Sequence, residues 1–234
     1  MYYQLKELIR EKVAAGEWQP GDLIPSEREL SEKYGISRMT VRQALTELTN
    51  ERLLRREQGK GTFVAEPKIE QRLTRLTGFT EDMRKRGMRS GARVLRLELT
   101  AAPALPARAL QVDPGSSTVL LLERLRLAGG EPMALETCYI HFDGAHKLLK
   151  ENFEDQSLYV LLTEKYDIVP TRAEQQMEAA LCNQREQELL GLEEAAPVLR
   201  NRRVTFDQRG RPFEYTESVY RGDRYVFYAE LTTL

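Results

Sequence analysis

The chain has 234 residues, of which 41% are hydrophobic and 30% are charged, and its formal net charge at pH 7 is −1. This hydrophobic content can bury a core, which excludes a disordered tail, and the near-neutral charge requires any nucleic-acid-binding surface to be concentrated in one region. Cys138 and Cys182 lie far apart and do not indicate a disulfide scaffold, so a reduced, cytoplasmic protein is expected. No apolar run approaches the ~18 residues that span a membrane, so no membrane partner is expected. The sequence indicates neither a cofactor nor a metal site.

The first fifty residues predict three helices. Residues 3–15 place apolar side chains on one helical face, and a Gly- and Pro-rich segment then ends that helix. Ser26 with Glu29 forms a capping box that begins a second helix, which Gly35 ends. Ser37 caps a third helix. The apolar stripe predicted for this third helix is Val41, Ala44, Leu45 and Leu48.

The second and third predicted helices, joined by a tight glycine turn, are typical of a helix-turn-helix. In that motif the second helix enters the DNA major groove with its N-terminus first. Its polar face here carries Arg38, Thr40, Arg42 and Gln43. An arginine fork can donate two hydrogen bonds to a guanine. For an isolated helix, however, the same arginines would be typical of a solvated face.

A predicted hairpin follows the helices directly. Residues 53–64 read as a strand, a glycine turn and a returning strand, which would make a wing beside the helix-turn-helix. Residues 37–64 carry six basic and three acidic side chains, a local net charge of +3 where DNA phosphates would lie. Glycines on both sides of Lys60 let the backbone approach a groove closely. The N-terminal region therefore predicts a DNA-binding surface.

The segment PSERELSEKYGISRMTVRQALTELTNERLLRREQGKGTFV resembles the winged helix-turn-helix domain of the GntR family of bacterial transcription regulators. The motifs that carry the resemblance are P-S-E-R-x-L, S-R-x-T-V-R-x-A-L and G-x-G-T-F/Y-V. The resemblance implies that Arg28 and Arg38 contact DNA and that the wing tip enters the minor groove. Arg52 stands where the family usually has glycine, at a helix end where the left-handed conformation costs another residue about 1 kcal/mol. The predicted DNA-binding residues are Ser26, Arg28, Ser37, Arg38, Thr40, Arg42, Gln43, Gly59, Lys60 and Gly61.

A polar, charged segment after the hairpin predicts a domain boundary. We expect a winged helix-turn-helix domain at residues 1–66, a linker at 67–76 and an effector domain at 77–234. Beyond the linker, two long strand hairpins turn at AGGE and at Arg209-Gly210, with short helices between them. This pattern favours an α+β fold built on an antiparallel sheet.

The strand segment LLLERLRLA places two arginines side by side. Alternation puts Arg124 and Arg126 on one face, roughly 7 Å apart. Two guanidinium groups repel each other unless an anion or a carboxylate lies between them, and such a pair can clamp a phosphate. A solvated strand face is the alternative. On the last hairpin, Glu214 and Tyr220 share a face that could hydrogen-bond sugar hydroxyls or simply lie at the surface.

The second domain resembles the effector domain of the HutC subfamily of GntR regulators, the UTRA domain, which has a chorismate-lyase-like fold. The resemblance rests on LTGFTEDMRKRGM, ERLRLAGGEPMALETCYI, QSLYVLL, PTRAEQQMEA and ESVYRGDRYVFY. It is strongest to repressors of N-acetylglucosamine use, which implies a phosphorylated amino sugar (N-acetylglucosamine-6-phosphate or glucosamine-6-phosphate) as effector. It implies that Arg124, Arg126 and Ser157 hold the phosphate, and a helix start at Ser157 also favours an anion. The remaining implied effector-binding residues are Phe79, Thr80, Glu136, Arg172, Glu214 and Tyr220.

Together these patterns predict a ligand-responsive transcription repressor, not an enzyme, that binds a pseudo-palindromic double-stranded DNA operator as a homodimer. One alternative is a HutC-type regulator of another metabolite operon. The others are a lyase-like enzyme, a GntR regulator with a different effector domain, and an architectural DNA-binding protein without a ligand. An enzyme is disfavoured because His141 and His146 have no evident acid or nucleophile partner in the sequence.

Overall fold

The computed structural model describes residues 1–57 and 59–231. Gln58 in the predicted wing, and residues 232–234 at the end of the predicted effector domain, lie outside the described residues. The chain divides into two compact units, Met1–Lys68 and Ile69–Leu234. Among the described residues, no helix combines the length and the apolar character needed to cross a membrane.

The described part of the first unit contains three helices followed by a hairpin. Its elements are α1 (Tyr2–Ala14), α2 (Glu27–Tyr34), α3 (Arg38–Asn50), β1 (Leu54–Glu57) and β2 (Gly61–Val64). The predicted capping box begins α2, because Ser26 and Glu29 each accept a hydrogen bond from the other's backbone N–H. Gly35 ends α2 in the left-handed conformation with φ of 64°, and the Ser37 hydroxyl caps α3 by accepting the Thr40 N–H at 3.1 Å.

One face of α3 forms the centre of the first unit. All four residues of its predicted apolar stripe are buried, and they pack against Leu5 and Ile9 of α1 and Leu30 of α2. The buried Lys6 ammonium of α1 also donates to Glu47 at 2.6 Å and to Glu51 at 2.8 Å. Because these contacts fix α3 along one side, its opposite side faces solvent.

The end of α3 is a Schellman motif centred on Arg52. The Arg52 N–H donates to the Thr49 carbonyl and the Leu53 N–H to the Leu48 carbonyl, each at 2.9 Å. Arg52 has φ of 61°, which is the left-handed region that favours glycine. The departure from the family glycine therefore places a side chain in a strained backbone conformation.

An Arg52→Gly variant is expected to be more stable than the parent by roughly 1 kcal/mol, because glycine adopts this conformation without the Cβ clash. Urea unfolding followed by circular dichroism measures the change. Arg28→Gly is the control, since Arg28 lies in the first turn of α2 with helical backbone, where glycine relieves no strain and should not stabilise the protein. A lower unfolding midpoint for Arg52→Gly would contradict the assignment of strain.

The second unit is built on an antiparallel sheet, which confirms the predicted α+β class. Its strands are β3 (Ile69–Arg72), β4 (Ser90–Ala101), β5 (Thr118–Ala128), β6 (Glu131–Ile140), β7 (Arg172–Leu181), β8 (Pro197–Phe206), β9 (Pro212–Arg221) and β10 (Tyr225–Tyr228). Among the described residues, six of these strands form the antiparallel sheet in the order β4-β5-β6-β9-β8-β7. Both predicted hairpins are present, as β5–β6 and β8–β9. The helices are α4 (Phe79–Lys85), α5 (Ala104–Leu110), a 3₁₀ helix (Ala145–Lys150), α6 (Leu158–Tyr166) and α7 (Gln184–Leu190).

Part of the segment predicted as a linker forms a strand of the second unit. Residues 69–72 form β3, which pairs in parallel with β10, and the Ile69 N–H donates to the Arg224 carbonyl at 2.7 Å. Ile69 and Gln71 are both buried although the segment is polar overall. The effector unit therefore begins directly after Lys68.

Candidate DNA-binding surface and effector site

The exposed face of α3 carries the polar residues predicted to contact DNA. Arg38 is exposed and has no hydrogen-bond or ion-pair partner among the described residues. The hydroxyls of Ser37 and Thr40 are 2.8 Å apart and fix the start of the helix beside Arg38. The Gln43 amide is 3.5 Å from the Glu47 carboxylate. Arg38 is thus an unpaired guanidinium group at the end of the helix that a helix-turn-helix inserts first into the major groove.

The other predicted DNA-binding arginines already contact carboxylates. Arg42 donates from Nε and Nη2 to Glu27 Oε2 at 3.0 and 2.9 Å. Arg28 is exposed, and its Nε lies 3.9 Å from a Glu32 carboxylate oxygen. The surface is therefore basic but includes acidic side chains at fixed positions.

The wing turn requires glycine on both sides of its lysine. Gly59 and Gly61 have φ of 75° and 129°. A Cβ on Gly61 would lie 2.6 Å from Leu23 Cδ1, so a larger residue would require the exposed Leu23 side chain to move. Lys60 is exposed, with its ammonium 3.2 Å from a Glu57 carboxylate oxygen. The predicted wing-tip residues thus present a basic side chain on a turn whose two glycines have positive φ.

A cavity in the second unit lies against one face of strands β5, β6, β9 and β8. Its volume is about 40 Å³, and about 510 Å³ if all the space free of protein atoms out to its solvent-open mouth is counted. Directly paired residues share a face of a sheet. The register places Arg124 opposite Glu136, Glu136 opposite Ser218, and Ser218 opposite Asn201. The sheet residues lining the cavity are Arg124, Arg126, Glu136, Asn201, Arg203, Glu214, Thr216, Ser218 and Tyr220.

The two strand arginines are the buried cations of this cavity. Arg124 and Arg126 are each 3% exposed, so the alternative of a solvated strand face is wrong. A Glu136 carboxylate oxygen accepts a hydrogen bond from Arg124 and lies 3.9 Å from Arg126 Nη1. This carboxylate lies between the two guanidinium groups, as their mutual repulsion requires.

Burial and neighbouring charges together shift the pKa values of these groups. Burial and the positive charge of Arg124 lower the pKa of Arg126 to about 10. Burial acts to raise the pKa of Glu136, but the two arginines outweigh it, so the net shift is downward. Nε and Nη1 of Arg124 and Nε of Arg126 are buried and have no hydrogen-bond partner among the described residues. Buried donors without a partner destabilise a protein. An anion that entered the cavity would accept hydrogen bonds from these nitrogens and remove that cost.

Two helix starts form the rim of the cavity beside the arginines. Arg126 Nη2 donates to the Thr80 hydroxyl at 2.9 Å, and its guanidinium lies 4.7 Å from the centre of the Phe79 ring. Gly78 is the N-cap of α4, so Thr80 lies in the first turn of that helix. Ser157 begins α6 and makes no capping hydrogen bond with its side chain. Its hydroxyl and the first turn of α6 are therefore available to an anion.

A second buried carboxylate, Glu214, lies elsewhere on the same sheet face. Its Oε2 accepts hydrogen bonds from the Tyr159 hydroxyl at 2.7 Å and the Thr205 hydroxyl at 2.8 Å. Burial raises the pKa of Glu214 despite these two hydrogen bonds. Burial likewise raises the pKa of Tyr220 to about 12, so its phenol remains protonated. These groups offer oriented hydrogen-bond partners for a polar ligand.

One predicted effector residue, Arg172, is not brought to the cavity. Several residues that sequence reasoning missed do line it, and Arg203 is the charged one among them. Arg172 begins the edge strand β7, where it is exposed, pairs with Glu174 at 2.5 Å and lies 3.7 Å from the centre of the Phe206 ring. Arg203 of β8 lines the cavity instead and donates to Gln175 at 2.7 Å. The remaining predicted effector residues, namely Phe79, Thr80, Arg124, Arg126, Glu136, Ser157, Glu214 and Tyr220, all line it.

The two histidines lie away from this cavity. His141 and His146 border a separate shallow groove, and His141 Nδ1 is 3.2 Å from the Thr118 carbonyl oxygen. Among the described residues, no three histidine, cysteine, aspartate or glutamate side chains cluster as metal ligands would.

Both units match known families. Residues 1–64 match the gntR family of bacterial regulatory proteins, and residues 85–226 match the UTRA domain. A winged helix-turn-helix followed by an antiparallel-sheet domain with a polar cavity defines a two-domain transcription regulator. The chain belongs to the GntR family, with the UTRA domain of its HutC subfamily.

Individual relatives match nearly the whole chain. It is similar to the HTH-type transcriptional repressor NagR of Bacillus subtilis strain 168, with 45% identity over 97% of this chain and 93% of that protein. It is also similar to MngR, the mannosyl-D-glycerate transport/metabolism system repressor of Escherichia coli K12, with 32% identity over 97% and 94%. Among solved structures, PhnF of Mycobacterium smegmatis is 34% identical, with a TM-score of 0.67 over 97% of this chain and 98% of that chain.

Proposed function

We propose that this protein is a transcription repressor that binds a pseudo-palindromic operator as a homodimer and responds to a phosphorylated amino sugar. The effector would be N-acetylglucosamine-6-phosphate or glucosamine-6-phosphate. The observation that carries the proposal is the pair of buried arginines with unpartnered donors in the UTRA cavity. A phosphate is a ligand group that such forked donors bind through charge-assisted hydrogen bonds.

The phosphate would bind between the strand arginines and the start of α6. Arg124 and Arg126 supply charge and forked donors, and Ser157 supplies a hydroxyl at a helix N-terminus. Glu136 keeps the two cations together before the ligand arrives. The phosphate would then give the unpartnered nitrogens hydrogen-bond acceptors and offset the excess positive charge.

The sugar would occupy the remaining polar part of the cavity. Glu214 and Tyr220 are oriented hydrogen-bond partners for hydroxyl or amino groups, and Phe79 and Thr80 close the rim. We assign no effector contact to Arg172, because its side chain is held outside the cavity by Glu174 and Phe206. Arg203 is the additional cation of the site.

The choice of an amino sugar rests on the resemblance of the effector-domain motifs to repressors of N-acetylglucosamine use. The 45% identity to NagR over nearly the whole chain supports it. The alternative is a HutC-type regulator of another metabolite operon, which the similarity to the mannosyl-D-glycerate system repressor keeps open. The buried arginines fit another metabolite only if it is also anionic. A ligand screen therefore separates the two hypotheses.

An enzyme is the less supported alternative. The two named relatives are repressors by name, and neither histidine lines the cavity. Binding of the effector in a regulator would be coupled reciprocally to DNA binding, typically by about 1–3 kcal/mol. The site of action would be the cytoplasm, where both operator and sugar phosphate are present.

A thermal-shift screen tests the effector assignment. At one hundred times its Kd, N-acetylglucosamine-6-phosphate or glucosamine-6-phosphate is expected to stabilise the protein by about 2.7 kcal/mol, whereas unphosphorylated N-acetylglucosamine is expected to give little shift. Glucose-6-phosphate and inorganic phosphate are the controls for the amino sugar and for the phosphate. A shift with a different metabolite and none with either hexosamine phosphate would favour the alternative regulator.

A further inference from the structure

Glu27, the first residue of α2, joins the recognition helix to the wing. Its Oε2 accepts hydrogen bonds from Nε and Nη2 of Arg42 on α3, at 3.0 and 2.9 Å. Its Oε1 accepts one from Nη2 of Arg56 on β1, at 3.1 Å. One carboxylate therefore holds two guanidinium groups from two different elements of the predicted DNA-binding surface.

The three side chains form a cluster with a net charge of +1 in place of two free cations. Arg42 and Arg56 are about half exposed, and the Glu27 side chain is 26% exposed. Each arginine has five N–H donors, so both keep donors directed away from the carboxylate. Because exposed ion pairs of this kind are weak, a phosphate can compete with Glu27 for either arginine.

We propose that Glu27 is a specificity-determining residue that limits binding to non-operator DNA. It offsets one of the two arginine charges and holds both side chains in one arrangement. DNA whose phosphates do not match that arrangement is bound less tightly by the held arginines than it would be by two free arginine side chains. Operator DNA, which aligns α3 in the groove through base contacts, places phosphates where the held arginines reach them. The inference rests on the proposed DNA-binding function of this surface.

Removing the charge at position 27 should strengthen binding to arbitrary DNA. The Glu27→Gln variant is expected to bind a pool of random 30-base-pair duplexes roughly three- to tenfold more tightly at 0.1 M KCl, which corresponds to about one additional phosphate contact. The slope of log K against log salt should steepen by about 0.9 for each added contact. Affinity for an operator selected from a random library by the parent protein should change less, so the ratio of operator to random binding falls.

Fluorescence anisotropy with both DNAs measures these constants. Glu11→Gln is the charge-matched control, since Glu11 lies on α1, is exposed and has no side-chain partner among the described residues; it should leave the ratio within about twofold. Glu27→Ala must also increase the affinity for random duplexes. Thermal unfolding of both Glu27 variants checks that they are folded.

Two different failures can be distinguished. If the parent protein itself shows no preference for any selected sequence, the proposed operator-binding function is wrong. If the parent is selective but neither Glu27 variant binds random duplex more tightly, or the operator-to-random ratio stays the same, the role assigned to Glu27 is overturned.

Discussion

An Arg38→Ala variant is expected to lose about 1–3 kcal/mol of discrimination between operator and random DNA, which is the value of one good arginine–base contact. The physical reason is that Arg38 is exposed at the start of α3 and has no partner among the described residues, so its guanidinium group is free to donate to a guanine. Competition binding between a selected operator and random duplexes measures the change.

Arg108→Ala is the control for this prediction, because Arg108 is an exposed arginine of α5 in the other unit. It should leave discrimination unchanged. Unchanged selectivity in Arg38→Ala, together with an intact fold, would mean that α3 does not contact bases through this residue.

The second large effect is expected at the cavity. Replacement of Arg124 and Arg126 by methionine, together with Glu136→Gln so that no buried carboxylate is left unpaired, should remove the effector response but leave operator binding within about twofold. Charge-assisted hydrogen bonds contribute about 1.5–3 kcal/mol each, so the loss of two or more should weaken sugar-phosphate binding at least ~100-fold. Thermal shift and operator release report the two properties separately.

Arg172→Ala is the matched control for the triple variant. The side chain of Arg172 is held outside the cavity, so this variant should respond to the effector normally. A full response in the triple variant would place the phosphate elsewhere. Loss of response in Arg172→Ala would restore the role that the family resemblance implies for this residue.

Local signals in the sequence were sufficient for the first unit. The capping box at Ser26, the glycine at position 35 and the apolar stripe of α3 act within a few residues of one another, and each appears in the structure as predicted. The same holds for the two long hairpins of the second unit, whose turns lie between continuous strands. These features are set by residues that lie close together in the chain, so a single sequence is enough to predict them.

The boundary between the units was less accessible from the sequence. Residues 69–72 are polar enough to resemble a linker, yet they pair with β10, more than 150 residues further along the chain. Such pairing depends on the completed second unit, so no local pattern indicates it.

The composition of the effector cavity shows where local reasoning ends. Alternation along β5 placed Arg124 and Arg126 together, but only the packing of α4 and α6 over that face makes them buried rather than solvated. In β9, a bulge at Phe213 shifts the register with β8 by one residue, so that Arg203 lies opposite Thr216. Without the shift Arg202 would take that place, because one residue of slip moves a strand's side chains to the other face.

By itself, the sequence determined the three helices and the hairpin of the first unit, the two long hairpins of the second unit, the DNA-binding motif, the paired arginines and the family. Only the tertiary structure decided that Glu27 bridges Arg42 and Arg56, that Arg172 stays outside the cavity and that Arg203 enters it. The physical reason is range: caps, turns and periodicity act between near neighbours in the chain, whereas burial, strand register and ion pairing depend on which distant segments the fold brings together.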